Sequence, residues 1–508
     1  MRKWINEGFK LYYDYVHKRT LNYLSNPEKT QANVLMELIQ SARRTQWGKM
    51  HRYYQIKSPV DYRNHVPIQD YESLKPFINR MMHGEKDVLW NGQVFLYSKS
   101  SGTTSDKSKF IPISAQNLRK CHIRGSWQTM MWFYHNRQDA RQFECKSLVM
   151  GGSLQAFPPY PKTIIGDVSA HMIQRMPSVG KPFYTPDFKT ALISDWEEKL
   201  ERMAHICAHE QNMVMIGGVP TWTVILLRRI LEISGKENMM EVWPNFQGYI
   251  HGGVSFLPYK KQFEAFFPSE NVSYQEIYNA SEGFFAVQND FLDHGMLLLI
   301  NSGVFYEFIP IEEWGKKSPQ TVFLHQVELG KQYAMVISTN SGLWRYQLGD
   351  TIMFTSVNPH KIKITGRTKQ FVNAFGEEVM VENTDKALSK TCQEFDAIVT
   401  EYTVGPIYLE GTNRGGHEWL IEFKKAPENI LKFSEILDKN LQLLNSDYEA
   451  KRYKDIALQS LIIQVLPKNT FHNWMRMRGK FGGQNKVPRL FNNRKYVDDL
   501  INFSSNNS

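Results

Sequence analysis

Short apolar runs that end in paired glycines alternate with helix-length segments through the middle of this chain, and no other feature narrows its fold as much. "SLVMGG" (147–152) and "NMVMIGG" (212–218) read as buried strands running into glycine turns. "DWEEKLERMAHICAHE" (195–210) and "TWTVILLRRILEISGK" (221–236) read as the helices beside them. Buried strands separated by helices place their neighbours parallel, so this region predicts a parallel or mixed α/β sheet. Further on, "MLLLI", "VFYEFIP", "TVFLHQVEL" and "YAMVIST" follow one another without helices. That pattern predicts an antiparallel sheet or small barrel attached to the α/β part.

The flanks read differently. Residues 1 to 90 look helical: in "ANVLMELIQSARRTQWG", Val34, Leu35, Leu38 and Ile39 share one face, with Gly48 as the expected stop. "HVPIQDYESLKPFINRMMHGE" reads as a loop, a helix and a glycine exit. After "HKIKITGRTKQFVNAFGEEV" the order becomes helix, two strands, long helix, strand, which suits a small α+β domain. The expected fold is α/β with α+β. A large N-terminal domain (1–366) holds α/β sheets plus a small β-barrel, and a smaller C-terminal domain (367–508) follows a boundary near Gly366 to Lys369.

At 508 residues the chain is long enough for two or three domains. Its net charge of +10 is not gathered into any run of five or six basic residues, which argues against a nucleic-acid partner but leaves room for an anionic substrate. Cys121, Cys145, Cys207 and Cys392 are scattered without zinc or redox spacing, as expected of reduced thiols in a cytoplasmic protein. No segment approaches the roughly 18 apolar residues that span a bilayer, so no membrane partner is expected. Nothing in the sequence sets the oligomeric state.

"YSKSSGTTSDKSKFIPIS" (97–114) places hydroxyls, a glycine and lysines directly after an apolar strand. Backbone N–H groups and hydroxyls at such a strand end can surround phosphate oxygens, with a lysine adding charge. The Walker pattern does not fit, because Lys107 stands where its second glycine belongs. The plain alternative is an exposed polar turn. "YNASEGFF" (278–285) follows another strand-like run; Glu282 is placed to hold Mg²⁺ and Tyr278 to stack on a base, against a salt-bridged Glu and a core Tyr. "LWRYQLGD" (343–350) ends in an aspartate that could accept from both ribose hydroxyls, against an ordinary turn aspartate. Gly151, Gly152, Gly217 and Gly218 would either approach a substrate, with Ser153 and Trp222 lining an acyl pocket, or make turns that need positive φ. His205, His209 and Glu210 make at most half of a metal site.

Taken in order, "SSGTTSDKSK", "YNASE" and "YQLGD" resemble the nucleotide-binding motifs of the Gretchen Hagen-type, auxin-responsive acyl acid amido synthetases, within the acyl-adenylating superfamily of firefly luciferase and acyl-CoA ligases. "VPIQDYESLKPFINRMMHGE", "WPNFQGYIHGG", "GRTKQFVNAFGEEV" and "GQNKVPRL" extend the resemblance over nearly the whole chain. It implies an ATP-dependent, Mg²⁺-using ligase that activates a carboxylic acid as acyl-adenylate and passes it to an amine, an amino acid, forming an amide. The alternatives are an acyl-CoA ligase or a non-catalytic nucleotide binder of the same fold. By position, Ser100, Ser101, Gly102, Thr103, Thr104 and Lys109 would form the phosphate loop. Tyr278, Ala280 and Ser281 would lie along adenine and α-phosphate, with Gly252 and Gly253 as a wall of the adenine site. Glu282 would hold Mg²⁺, Asp350 and Arg367 would reach the ribose, and Lys486 of a rotating small domain would approach the phosphate and acyl carboxylate. Asp106 and Gln347 depart from the family pattern, which often has glycine and arginine there.

Overall fold

The computed structural model describes residues 2–101, 108–254, 256, 259–367, 371–409, 415–455, 457–478 and 487–506. A twelve-stranded sheet forms its backbone among these residues. One half is parallel, in the spatial order Tyr184–Thr185, Lys146–Val149, Met213–Gly218, Gly248–His251, Ser273–Ala280. The other half is antiparallel and continues through Gly283–Gln288, Met296–Leu298, His360–Arg367, Tyr346–Val357, Gln332–Thr339 and Val304–Pro310 to Val322–Phe323. The expected antiparallel strands are therefore attached to the parallel half within one sheet. The Ser273–Ala280 strand pairs parallel on one side and antiparallel on the other, so the two halves share it. A four-stranded sheet built around Leu96–Ser101 and Ser108–Ile113 lies beside them.

Helices form where the pattern put them. Val34, Leu35, Leu38 and Ile39 are buried on the helix Pro27–Ala42. That helix stops at Ala42 and not at Gly48, because Thr45 caps a new short helix, Gln46–Met50, by accepting from the Gly48 N–H. Asp70 and Ser73 cap Tyr71–Met82 reciprocally, at 2.9 and 3.0 Å. Asp195 caps Trp196–His209, and Pro220 opens the helix that ends at Gly235. These last two helices flank the parallel strands, as the alternation requires.

The smaller C-terminal domain has a sheet ordered Ile398–Ile407, Gly416–Lys425, Ile462–Leu466, covered by Val381–Glu394 and Ile430–Leu444. Its core runs without a break into that of the parallel half: Val372, Phe375 and Trp419 belong to the same buried cluster as Leu148, Ile216 and Tyr249.

Candidate active site

The strands Leu96–Ser101, Ser273–Ala280 and Tyr346–Val357 deliver the three polar stretches to one place. Ser98 Oγ donates to Ser281 Oγ at 2.9 Å, tying the first stretch to the second. The Tyr278 hydroxyl donates to Asp350 Oδ2, tying the second to the third. Arg367 stands opposite Asp350 in the antiparallel register. Ser100 pairs with Lys109 in the antiparallel register of Leu96–Ser101 and Ser108–Ile113. Gly102, Thr103, Thr104 and Asp106, together with Lys486, lie outside the described residues.

Glu282 sits at the turn between Ser273–Ala280 and Gly283–Gln288 and is 9% exposed. Burial pushes its carboxyl up to about 7, the Lys109 charge pulls it partly back, and Glu378 and Asp350 push it further up. The charges of Glu282 and Asp350 are therefore close enough to interact, and Tyr278 links the Glu282 stretch to Asp350 directly. Among the described residues Glu282 is in no ion pair. Its charged neighbours are thus one lysine and two carboxylates. Among the described residues no group of three or more His, Cys, Asp or Glu side chains could hold a metal ion.

Asp350 is not the turn aspartate of the plain reading. It lies inside the strand Tyr346–Val357, at a point where the register with Gln332–Thr339 slips between Ala334 and Val336. Gly349, at φ +94°, makes that irregularity possible and turns the next side chain toward Tyr278. Tyr278 is 6% exposed, packed edge-on to Phe285 at 5.1 Å.

The paired glycines also differ from expectation. None of Gly151, Gly152, Gly217 and Gly218 has a positive φ. At Gly152 the reason is close approach by the protein itself: a Cβ would fall 1.6 Å from Asp167 Oδ2. Asp167 accepts from the Ser153 N–H at 3.1 Å, and Lys199 donates to the carbonyls of Gly151 and Gly152 at 3.0 and 2.8 Å. Burial lowers this lysine to about 8. Trp222, the other expected pocket residue, is covered by Trp196 (centroids 4.2 Å apart) and by Lys451 Nζ, 5.0 Å above its ring. Gly252 abuts the Ile277 carbonyl, and the Gly253 carbonyl accepts from Asn373 at 3.3 Å. His205 pairs with Glu201 on an exposed helix face.

Several cleft residues escaped the sequence reading. Ser108 Oγ donates to Ser446 Oγ of the C-terminal domain at 3.1 Å. Asp447, next along, is half-buried, and desolvation by the surrounding chain lifts its carboxyl to about 7. Lys451 and Lys99 oppose that rise and Glu378 and Asp167 add to it. Glu378 lies in "FGEEV", but nothing local marks it as a charged neighbour of Glu282. Lys199 and Ser98 carry no local signal either.

A parallel-to-antiparallel sheet and a small α+β domain meeting over a cleft are the architecture of adenylate-forming enzymes. The chain superposes on the acyl acid amido synthetase AtGH3.15 in complex with 2,4-DB with a TM-score of 0.61, at 17% identity and covering 96% of each chain. It superposes on 2-hydroxyisobutyryl-CoA ligase in its thioesterification state with a TM-score of 0.59, at 13% identity, over 95% of this chain and 93% of that one. The GH3 family N-terminal domain matches residues 16–219 and 189–272, its central domain 297–367 and its C-terminal domain 382–495. The chain belongs to the GH3 family. Among curated relatives, the indole-3-acetic acid-amido synthetase GH3.4 of Arabidopsis thaliana is 22% identical, over 91% of this chain and 89% of its own length. The 4-substituted benzoates-glutamate ligase GH3.12 of the same plant is 22% identical, over 98% and 97%.

Proposed function

We propose that this protein is an ATP-dependent ligase that activates a carboxylic acid as an acyl-adenylate and transfers the acyl group to an amino acid, forming an amide and releasing AMP and pyrophosphate. The observation that carries this reading is the convergence of Tyr278, Glu282 and Asp350 on one cleft beside Lys109. Asp350 accepts from the ribose hydroxyls with Arg367 beside it. Tyr278, Ala280, Ser281, Gly252 and Gly253 border the base and α-phosphate. Ser100, Ser101, Gly102, Thr103, Thr104 and Lys109 receive the outer phosphates. Mg²⁺ supplies charge neutralisation at the phosphates, with Glu282 as its protein ligand.

A carboxylate cannot acylate an amine directly, because its leaving group would be an oxide. Attack on the α-phosphorus converts that oxygen into part of AMP, a good leaving group. The protein aligns two anions and offsets their repulsion, which requires positioning and positive charge more than proton transfer. Lys486, carried on a small domain of residues 367–508 that rotates between half-reactions, supplies such a charge in the first. Ser153 borders the acyl group, and Trp222 would reach it only if Lys451 leaves its ring as the small domain moves.

The relatives' names attach different acids, so the test spans several acid classes. Purified protein with ATP and Mg²⁺ is screened against carboxylic acids for pyrophosphate release, then offered amino acids or coenzyme A, and the product is weighed by mass spectrometry. Acid-dependent AMP formation with an amide product is expected. A thioester product would assign the chain to the reaction named for its 2-hydroxyisobutyryl-CoA ligase neighbour. Absence of AMP with every acid would leave a nucleotide binder only.

A further inference from the structure

The N-terminal helix, Arg2–Leu24, is apolar on two opposite faces, and only one of them is used by the fold. Its inner face (Asn6, Tyr13, Thr20 and Leu24) is buried. Phe9 stacks on Phe143 with centroids 3.6 Å apart, and Asn6 Nδ2 donates to the Ala140 carbonyl at 2.9 Å. These contacts dock the helix onto the body of the protein. On the outer face, helical spacing brings Trp4, Leu11 and Tyr15 into line, with Ile5 to one side and Tyr12 at the border, its ring edge-on to Phe9 and Trp127. Trp4, Leu11, Tyr15, Ile5 and Tyr12 are exposed by 82, 73, 58, 38 and 50% respectively, Trp4 and Leu11 being among the most exposed large apolar side chains described. Gly8 lies in the middle of the stripe with nothing within 4 Å of where a Cβ would stand.

Such a stripe is of the size of the largest apolar patch on a soluble monomer, a few hundred Å², and such patches are often functional. A stable protein–protein interface needs about 800 Å² per partner, more than one convex helix face offers. The surrounding charge points elsewhere. The helix carries Arg2, Lys3, Lys10, Lys18 and Arg19 against Glu7 and Asp14; Lys10 pairs with Glu7 at 2.8 Å, which leaves four basic residues against one acid, on a chain whose net charge is +10. Exposed Trp, Tyr and Leu flanked by Lys and Arg are the composition of a helix that lies in the headgroup layer of an anionic bilayer.

We propose that the Arg2–Leu24 helix docks its outer stripe on an anionic phospholipid surface, lying along it without crossing it. No helix among the described residues is long and apolar enough to span a membrane. The catalytic cleft plays no part in this contact, so a lipid-docking result stands or falls apart from the ligase reading.

The test is co-sedimentation of the full chain with vesicles of phosphatidylcholine alone and of phosphatidylcholine with phosphatidylserine, at low and high salt. Binding to the anionic vesicles is expected, falling at high salt because the charge attraction is screened. The double variant Trp4→Ser/Leu11→Ser and the double variant Lys18→Glu/Arg19→Glu should each lower the bound fraction about tenfold. Their melting temperature and pyrophosphate release should match the parent, since all four side chains are exposed and remote from the cleft. Absence of binding to anionic vesicles, or binding indifferent to both variants, overturns the proposal. So does a solution dimer that the Trp4→Ser/Leu11→Ser variant converts to monomer, which would give the stripe to a second copy of this chain.

Discussion

Tyr278, Asp350 and Glu282 are each unremarkable residue types whose chemistry is set by their neighbours. A hydrogen bond to a charged acceptor contributes about 1.5–3 kcal/mol, so the Tyr278→Phe variant should weaken ATP binding by roughly tenfold through misplacement of Asp350. Asp350→Asn should weaken it more, because the variant also loses an acceptor charge; calorimetric titration with ATP reads both. Glu282 gives a pH signature with a definite sign. Its native carboxyl titrates at about 7 against an ordinary 4.5, so between those values the folded protein holds a proton that the unfolded chain has lost. The free protein therefore loses stability as pH rises through that window, and Asp447 acts in the same direction. Urea unfolding from about pH 5 to 8 should show this fall, with a shallower slope in Glu282→Gln. Binding of Mg²⁺ with ATP near neutral pH should release protons from the parent and fewer from Glu282→Gln, read by calorimetry in buffers of different ionisation enthalpy.

The strand Tyr346–Val357 shows how an element prepares a site. Just before it, Arg345 is held at φ +44° by a buried, fully used guanidinium. Its nitrogens reach both oxygens of Glu307 at 2.8 Å, and also the carbonyls of Arg63 and Val66 and the Thr321 hydroxyl. Gln69 then clips the backbone on either side, accepting from Gln347 and donating to Arg345. The start of the strand is thereby pinned to the N-terminal helical region, and the slip at Gly349 can aim Asp350 in only one direction. Removing one member of a buried ion pair costs about 3–5 kcal/mol because the other is left uncompensated. Arg345→Met should lower stability by that amount in denaturant titration, whereas the paired change Arg345→Met/Glu307→Leu should recover much of it.

At the scale of the whole molecule, the C-terminal domain rests on the large one through Tyr259 Oη to the Ala374 carbonyl at 2.7 Å, Ser108 to Ser446, Tyr453 to Asp195 at 3.3 Å, and the Lys454–Glu197 pair. The proposed rotation must break the polar contacts nearest the cleft. Lys486 would then serve only the first half-reaction, so Lys486→Ala should reduce acid-dependent exchange of pyrophosphate into ATP by about 10²-fold and leave aminolysis of pre-made acyl-adenylate nearly intact; equal loss in both assays would count against rotation. What the chain's order of residues determined was whatever is local. Apolar runs with strand or helix period placed the alternating elements, and the three motifs marked the polar stretches that the fold brings together, because propensity, capping and backbone donors act within a few residues. What only the tertiary structure decided was non-local. The antiparallel strands join the parallel sheet through one shared strand. Gly152 is glycine because Asp167 crowds it, the Gly-Asp pair lies at an irregularity inside a strand, and Glu282 shares its field with Lys109, Asp350 and Glu378. Electrostatic and steric neighbours come from segments far apart along the chain, and no window of sequence contains them.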